Sequence, residues 1–564
     1  MARRNALLAL PWVACAIACW PLVRDGFPRG HDWVFELVRV AEYRAALAAG
    51  QLPPSWGENL YGGYGSPVFL FYAPLFSAGA ALFAWALDSV AAGAALLLVL
   101  LTVVSVVTTR RMIASACAWP AGVGPANEVA AAAVRVGVYV ALLHPYLLGD
   151  KLLRNADAEF AALCFVPIVL EGVLRAGARP RAAFALVSGG LALTILSHNL
   201  TALVAVGLAL GAGLVLYPPG RSGRTWAVLG AALGFGLALT AFFWLPAVSL
   251  TSWVRTEDLL RGKFDFHRQF PAGGAIFGYG PFYATGLVTP AALLAAITVA
   301  FRLRDDPRRR LLVGVLGAAV VFLFLTSRAS TVVWESAPLL PLFQFPWRWI
   351  GPLALVTALA AALAFAGSLA GARPRLRVTI ELAVFALCVL NALPLLAQSR
   401  PILPQLRTRL PQLLTPEAIR RDGRSVTVLD EYLPRAANPE VWKTRRPRES
   451  PVVRVGGAAD VVVLRDAGSH IRLSVRAAEP TSLRLARWAF PGWRLELSGR
   501  SAEWQANEDG SIDIDVPAGE TLVELRYRAP AVRRFGLAAS AVALAGWLAL
   551  VASRRLPLRR NSVS

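Results

Sequence analysis

A chain of 564 residues that is 56% hydrophobic and only 16% charged is more apolar than soluble domains, which average about 45–50%, and reads as a polytopic membrane protein. Its formal net charge of +22 is spread in short clusters between apolar runs, not gathered in one patch interleaved with exposed aromatics, which excludes a nucleic-acid binder. Cys15, Cys19, Cys117, Cys164 and Cys388 all lie in or near apolar segments, so neither a disulfide framework nor a thiolate metal site is signalled.

Arg3-Arg4 followed by apolar residues resembles a secretory signal, but the cleavage pattern is poor, and residues 6–22 are expected as an uncleaved first span. The stretch PRGHDWVFELVR then sets His31 and Asp32 a few residues beyond hydrocarbon, where ionisable groups are costly and read as functional. Apolar Phe35, Leu37, Val38, Val40, Ala41 and Leu47, interleaved with Glu36, Arg39, Glu42 and Arg44, predict an amphipathic helix on the outer membrane surface. Asp32 precedes it, either as an N-cap or as a carboxylate aimed at substrate, able to act as general base or to hold a cation.

Runs long enough to cross lie near 6–22, 91–108, 128–147, 159–175, 182–197, 200–217, 226–246, 285–301, 311–326, 349–370, 378–397 and 535–553, which predicts about twelve spans. Val68–Leu87 is apolar enough to cross, yet only if it lies along the interface or re-enters do the basic clusters share one face. These are Arg3-Arg4, Arg110-Arg111, Arg175/Arg179/Arg181, Arg221/Arg224, Arg302/Arg304/Arg308–Arg310, Arg373/Arg375/Arg377 and Arg554/Arg555/Arg559/Arg560. The positive-inside rule then makes both termini cytoplasmic, with Arg533-Arg534 a local exception at the outer end of the last span. The outer face collects Arg29–Asp32, Gly149–Glu159, Ser197–Asn199, Pro246–Tyr283 and Ser327–Arg348. Within the spans, Arg135, Glu171 and Glu381 read as snorkelling or helix-end residues.

Ser399–Ala531 is polar, and its segments SVTVLDEYL, DVVVLRD, HIRLSVRA, SLRLARWAF, WRLELSG, SIDIDVP and TLVELRYR alternate apolar and polar residues. They predict an outer β-sandwich or jelly roll. Trp488 and Trp493, flanking FPGW, suit either sugar stacking or, more commonly, a turn packed in the core. The chain thus divides into a membrane domain over 1–398 with a first outer loop at 23–90, a β-domain over 399–531, and a final span with a basic cytoplasmic tail over 532–564.

GHDWVFELVR with GQLPPSWGENLYGGYGSPVFLFYAPL resembles the first outer loop of a bacterial membrane-protein family catalogued as 6-pyruvoyl-tetrahydropterin-synthase-related. The resemblance continues through LLRNADAEFAAL (152–163), LSHNLTALV (196–204), AFFWLPAV (241–248), STVVWESAPLLPLFQFPWRWIG (330–351), DEYLP and FPGW. One departure is Asn155-Ala156-Asp157, where the family is expected to carry a small Gly-Ala-type sequence, which makes Glu159 a better candidate than Asp157. Pterin chemistry does not follow from the label: His31, His144, His198, His267 and His470 are scattered with no zinc-ligand spacing. The architecture is instead similar to the GT-C superfamily of polyprenyl-phosphate-sugar glycosyltransferases, in which an acidic residue of the first outer loop follows span one. Asp32 holds that position here.

The resemblance implies transfer of a sugar from a polyprenyl-phosphate carrier, at the outer face of a bacterial cytoplasmic membrane, to a glycan, lipid or protein acceptor. Asp32 would be the base, with His31 or Glu159 orienting it or joining it around a divalent cation, magnesium or manganese, for which Asp32 and Glu159 are the candidate ligands. Arg348 is the first choice to bind the leaving phosphate, with Arg154, His198 and Asp157 as further substrate-binding candidates. Interfacial anchoring beside Trp347 and Trp349 is the alternative for Arg348, and a capped turn that for His198. A non-catalytic envelope-assembly protein and a lipid or polysaccharide transporter stay open as other functions, although the chain shows no internal repeat and its ionisable groups favour one face.

Overall fold

The computed structural model describes residues 2–120, 128–272, 278, 284–303, 306–427, 429–438 and 450–552. The basic tail with Arg554, Arg555, Arg559 and Arg560, together with Arg304 and part of the Pro246–Tyr283 loop, lies outside the described residues. In chain order the helices are α1 (Ala2–Asp25), α2 (Trp33–Ala48), α3 (Leu75–Leu87), α4 (Val90–Ala118), α5 (Glu128–Leu142), α6 (Pro145–Gly149), α7 (Asp157–Arg175) and α8 (Pro180–Ser197). There follow α9 (Asn199–Leu216), α10 (Gly223–Leu239), α11 (Ala241–Ser249), α12 (Val288–Arg302), α13 (Arg308–Thr326), α14 (Thr331–Ser336), α15 (Ile350–Ser368) and α16 (Pro374–Gln398). Two short helices, α17 (Pro404–Leu413) and α18 (Pro416–Arg421), precede nine strands, and α19 (Ala531–Ala552) comes last.

Among the described residues eight helices are long and apolar enough to cross a membrane, or up to ten if two bent pairs each count as one span, fewer than the twelve expected. Helix breaks account for part of the difference: α5 meets the 145–154 segment at 43°, and α10 meets α11 at 76°. Of the other expected spans, α12 has only 15 residues, and α7 carries Asp157, Glu159, Glu171 and Arg175. Those charges sit at the helix ends. Glu171 pairs with Arg111 at 3.0 Å and Arg175 at 2.7 Å at one end, while Glu159 belongs to a second cluster at the other. The expected segment Val68–Leu87 is a 3₁₀ turn followed by α3, whose 13 residues cover about 20 Å at 1.5 Å per residue, short of the roughly 30 Å hydrocarbon core.

Arg135 does not snorkel. It forms a two-pronged pair with buried Glu381, at 2.5 and 2.7 Å, which also accepts from Tyr139 Oη at 2.9 Å. This joins α5 to α16 and satisfies both charges inside the bundle, as a buried ion pair requires.

The strands are β1 (Val452–Val455), β2 (Ala459–Ala467), β3 (His470–Ala477), β4 (Thr481–Trp488), β5 (Trp493–Leu497), β6 (Arg500–Ala502), β7 (Gln505–Ala506), β8 (Ser511–Val516) and β9 (Gly519–Tyr527). They form two antiparallel sheets, ordered β1-β4-β8-β7 and β2-β3-β9-β5-β6. Period-two alternation buries Ile471, Leu473 and Val475 of β3 with Leu483 and Leu485 of β4. SVTVLDEYL, expected as a strand, forms none among its described residues, from which Val428 is excepted, and these serve as a strap on the first loop. Tyr61 Oη donates to Asp430 at 3.0 Å, Phe71 stacks on Tyr432 at 5.5 Å, and Arg39 donates to Val426 O at 2.7 Å.

This strap corrects the expected surface helix. Three of the four polar residues of α2 face protein, not water: Glu36, Arg39 and Glu42 are buried, while Arg44 stays partly exposed. Arg39 pairs with Glu36 at 2.6 Å and lies 3.6 Å over the Tyr72 ring. Glu42 accepts from the Asn59 backbone at 2.8 Å and from its side chain at 3.1 and 3.3 Å. Polar spacing marks a face that wants polar partners, and here the protein supplies them.

Candidate active site

Beyond α6 the chain makes a π-helical turn, Asp150–Arg154, a local geometry that concentrates at functional sites. Buried Lys151 anchors it, donating to Ala18 O of α1 at 3.0 Å and contacting Thr102 Oγ1 of α4 at 3.1 Å. The turn ends at Asn155, which adopts φ 57°, ψ 41°. Against this turn lies the segment after span one. The His31 N–H donates to Leu153 O at 2.8 Å and the Asp32 N–H to Arg154 O at 2.9 Å. Gly30 N–H donates to Asn155 Oδ1 at 2.8 Å. A Cβ on Gly30 would meet that oxygen at 2.3 Å and Leu153 O at 2.6 Å, so glycine is what lets the backbones approach. Asn155 tolerates the left-handed conformation almost as well as glycine and adds an acceptor that glycine lacks.

The clasp decides how Asp32 is used. It precedes α2, but its side chain makes no capping hydrogen bond. Instead Oδ1 lies 2.8 Å from His31 Nδ1, with 37% of the Asp32 side chain exposed. That hydrogen bond raises the His31 pKa, since it favours the charged imidazolium. The pair therefore faces solvent while its backbone is fixed.

Beneath it Glu159 gathers two guanidinium groups. Glu159 Oε1 accepts from Tyr146 Oη at 2.7 Å. Glu159 Oε2 lies 3.3 Å from Arg154 Nη2 and 3.4 Å from Arg348 Nε. Arg154 also donates to Tyr146 Oη at 3.2 Å, pairs with buried Asp150 and stacks 4.4 Å from the Trp347 ring. Arg348 Nη1 donates to Phe343 O at 3.0 Å and to Gln344 Oε1 at 3.3 Å, while its Nε makes no hydrogen bond among the described residues. Arg348 thus holds spare donors beside buried Trp347 and Trp349.

The remaining candidates occupy the margins. His198 caps α9, its Nδ1 accepting from Thr201 N at 3.4 Å and lying 2.8 Å from Thr201 Oγ1, so its side chain has a structural task within electrostatic reach of Glu159. Asp157 opens α7 fully buried, and neither carboxylate oxygen finds a hydrogen bond among the described residues. The donor set does not fit the expected cation. Both Glu159 oxygens are engaged by Tyr146 and two arginines, and no three acidic, histidine or cysteine side chains converge on a metal position among the described residues.

Gly30, Tyr146, Asp150, Lys151, Asn155 and Trp347 were not singled out by sequence as members of this site. Of these, Gly30 and Asn155 lay in motifs that were visible, but their contact joins segments 125 residues apart. An apolar groove of about 1460 Å³ between α9, α13 and α15 approaches the cluster at Trp349 and ends near Arg309 and Arg310. Trp488 and the aromatic residues of FPGW are core: Trp488, Phe490 and Trp493 are buried, Tyr64 stacks on Trp488 at 4.2 Å, and Trp56 packs edge-on against Trp493 at 5.4 Å.

No family model matches the chain, the pterin-synthase-related family included, and no curated protein matches it. Among solved structures, the arabinofuranosyltransferase AftD from Mycobacteria aligns over 71% of this chain and 27% of its own, with 19% identity and a TM-score of 0.44. The Archaeoglobus fulgidus oligosaccharyltransferase AglB, solved with an inhibitory peptide and a dolichol-phosphate, aligns over 78% of this chain and 62% of its own, with 14% identity and a TM-score of 0.44. This chain therefore spans about a quarter of the former and less than two thirds of the latter. At these values the likeness carries no functional weight, and the site stands on its own residues.

Proposed function

We propose that the chain is a membrane glycosyltransferase that moves a sugar from a polyprenyl-phosphate donor to an envelope acceptor at the outer face of a bacterial cytoplasmic membrane. The observation that carries this reading is the clasp, which holds the exposed His31–Asp32 pair against the Arg154–Glu159–Arg348 cluster. The acceptor hydroxyl attacks the anomeric carbon and passes its proton to Asp32. As that bond forms, the bond from the anomeric carbon to the phosphate oxygen breaks, and polyprenyl phosphate leaves with its added charge facing Arg348 and Arg154. Glu159 acts as a positioning residue that orients both guanidinium groups. The apolar groove beginning at Trp349 supplies a path for the prenyl chain, and no step requires a metal. In this reading both termini are cytoplasmic.

The test compares wild type, Asp32→Asn and Arg348→Lys for sugar transfer from a panel of polyprenyl-phosphate sugars, with binding of polyprenyl phosphate measured alongside. Asp32→Asn should fold normally, since its side chain caps nothing, and lose about 10²–10⁴ in rate. Arg348→Lys keeps the charge but loses the fork, and should weaken donor use. Full activity in Asp32→Asn would remove the base assignment, and a wild type that binds no polyprenyl phosphate would favour a non-catalytic envelope protein.

A further inference from the structure

A second cavity, of about 650 Å³, lies apart from this cluster, between the end of α1, the start of α4, the far half of α2, and α17. Its composition is graded. Ser89, Asp88, Arg44 and Arg407 stand at the level where α1 ends and α4 begins, whereas Leu22, Leu96 and Val99 line it further into the spans. Val99 is about ten residues into α4, which places it about 15 Å below Ser89, roughly half the thickness of a hydrocarbon core. Trp85 lines the cavity and is partly exposed, in keeping with a place at the membrane interface.

The charges favour an anion. Four charged residues line the cavity, Asp25, Arg44, Asp88 and Arg407. Asp25 is neutralised by Arg24 at 2.6 Å. Asp88 is 97% exposed and only 3.7 Å from Arg44, so water screens it. The Arg407 guanidinium has no hydrogen bond or ion pair among the described residues and reaches over Gly26, where an added Cβ would lie 3.3 Å from its Nη2. The first turn of α4 adds a favourable dipole at the same level. Two guanidinium groups above an apolar shaft suit a phosphate ester carried on an apolar chain.

We infer that this cavity binds an anionic glycerophospholipid of the surrounding bilayer, with its phosphate between Arg44 and Arg407 and an acyl chain along Leu22, Leu96 and Val99. Polyprenyl phosphate shares that chemistry, so the test carries both. Purified full-length protein is titrated by native mass spectrometry with phosphatidylglycerol, phosphatidylcholine and undecaprenyl phosphate, as wild type, Arg44→Gln/Arg407→Gln, and Arg407→Gln alone. The single variant alters an exposed, unpaired side chain and so keeps the test meaningful if the double variant is unstable.

Wild type should prefer phosphatidylglycerol to phosphatidylcholine, and the double variant should lose about tenfold in that affinity while retaining undecaprenyl phosphate. Equal binding of the two phospholipids, or unchanged phosphatidylglycerol affinity in both variants, overturns the inference. Loss of undecaprenyl phosphate from the variants, with or without phosphatidylglycerol, reassigns the cavity to the carrier lipid and overturns it too. A wild type that binds phosphatidylglycerol at this cavity but no undecaprenyl phosphate would sink the glycosyltransferase reading and leave this one intact.

Discussion

At the scale of single residues, the site depends on two that have no ionisable group. Gly30 is the only residue type that fits against Leu153 O and Asn155 Oδ1 at the observed spacing, and Asn155 combines a left-handed backbone with an acceptor for the Gly30 N–H. Gly30→Ala should therefore force the clasp apart and cost about 1–3 kcal/mol. Asn155→Gly keeps the backbone conformation and loses one hydrogen bond, for about 1 kcal/mol, while Asn155→Ala adds strain and should cost more. Thermal midpoints of the purified variants should rank wild type, Asn155→Gly, then Asn155→Ala and Gly30→Ala. A Gly30→Ala protein as stable as wild type would mean that the clasp is not under this steric constraint.

Glu42 gives a pH prediction at the same scale. Burial pushes its carboxyl up to about 7 from the ordinary 4.5. Between those values the folded protein holds a proton that the unfolded chain has released, so stability falls as pH rises through that window and levels off above about 7. The contribution is at most about 3 kcal/mol. Glu42→Gln keeps an acceptor for the Asn59 N–H and removes the titration, so the gap between its thermal midpoint and that of wild type should shift in favour of the variant from pH 5 to pH 8. Parallel midpoint curves for the two proteins would show that Glu42 does not carry the pH dependence.

At the scale of elements, the first loop and the β-domain are held by an aromatic seam. Trp56 is fully buried, at 4.7 Å from Tyr527 and 6.1 Å from Phe490, besides its contact with Trp493. The Trp488 N–H donates to Tyr64 O at 3.1 Å. Trp56→Ala should cost about 3–5 kcal/mol and raise hydrogen exchange both in residues 51–66 and in the FPGW turn. Exchange confined to one side of the seam would mean that the two elements stand independently. What sequence showed of these elements follows from periodicity. The alternation of β3, β4, β8 and β9 was legible because one face of each strand is buried, whereas Ser425–Leu433 alternates in the same way and forms a strap. Period two marks a half-buried extended segment and does not say whether its backbone pairs with a strand or rests on a loop. The polar residues of α2 misled for a related reason, since their partners come from segments remote in sequence. Asp32 could be named from its place just beyond span one, and Glu159 and Arg348 from the family resemblance, whereas Lys151 could not, because its partners Ala18 and Thr102 are brought to it only by the folded bundle.

At the scale of the whole molecule, the two ends of the bundle differ in chemistry. One end gathers Arg111, Glu171 and Arg175, the Gly177 N–H donating to Tyr217 Oη at 3.3 Å, and Arg377 at 3.8 Å from Glu128. The other holds the clasp, the Glu159 cluster and Arg533, which donates to Pro53 O at 3.1 Å and Pro54 O at 2.6 Å. Arg533 is thus tied to the first loop, which explains why a basic residue can sit at that end against the general bias. The positive-inside rule would put the basic end in the cytoplasm, and on that proposal positions on the first loop should be reached from outside and the turns at the basic end should not. Leu52, 79% exposed, and Asp88 flank α3, while Gly220 and Gly371 are exposed in the turns after α9 and α15. With single cysteines placed at these positions, a membrane-impermeant thiol reagent should label Leu52→Cys and Asp88→Cys in intact cells, and Gly220→Cys and Gly371→Cys only after permeabilisation. The native cysteines are buried or partly buried, so background labelling is low. Because α3 is too short to cross, Leu52 and Asp88 must behave alike. Opposite labelling of those two would mean that the Val68–Leu87 segment traverses the bilayer, and labelling of the Gly pair alone would invert the molecule and put the His31–Asp32 site in the cytoplasm.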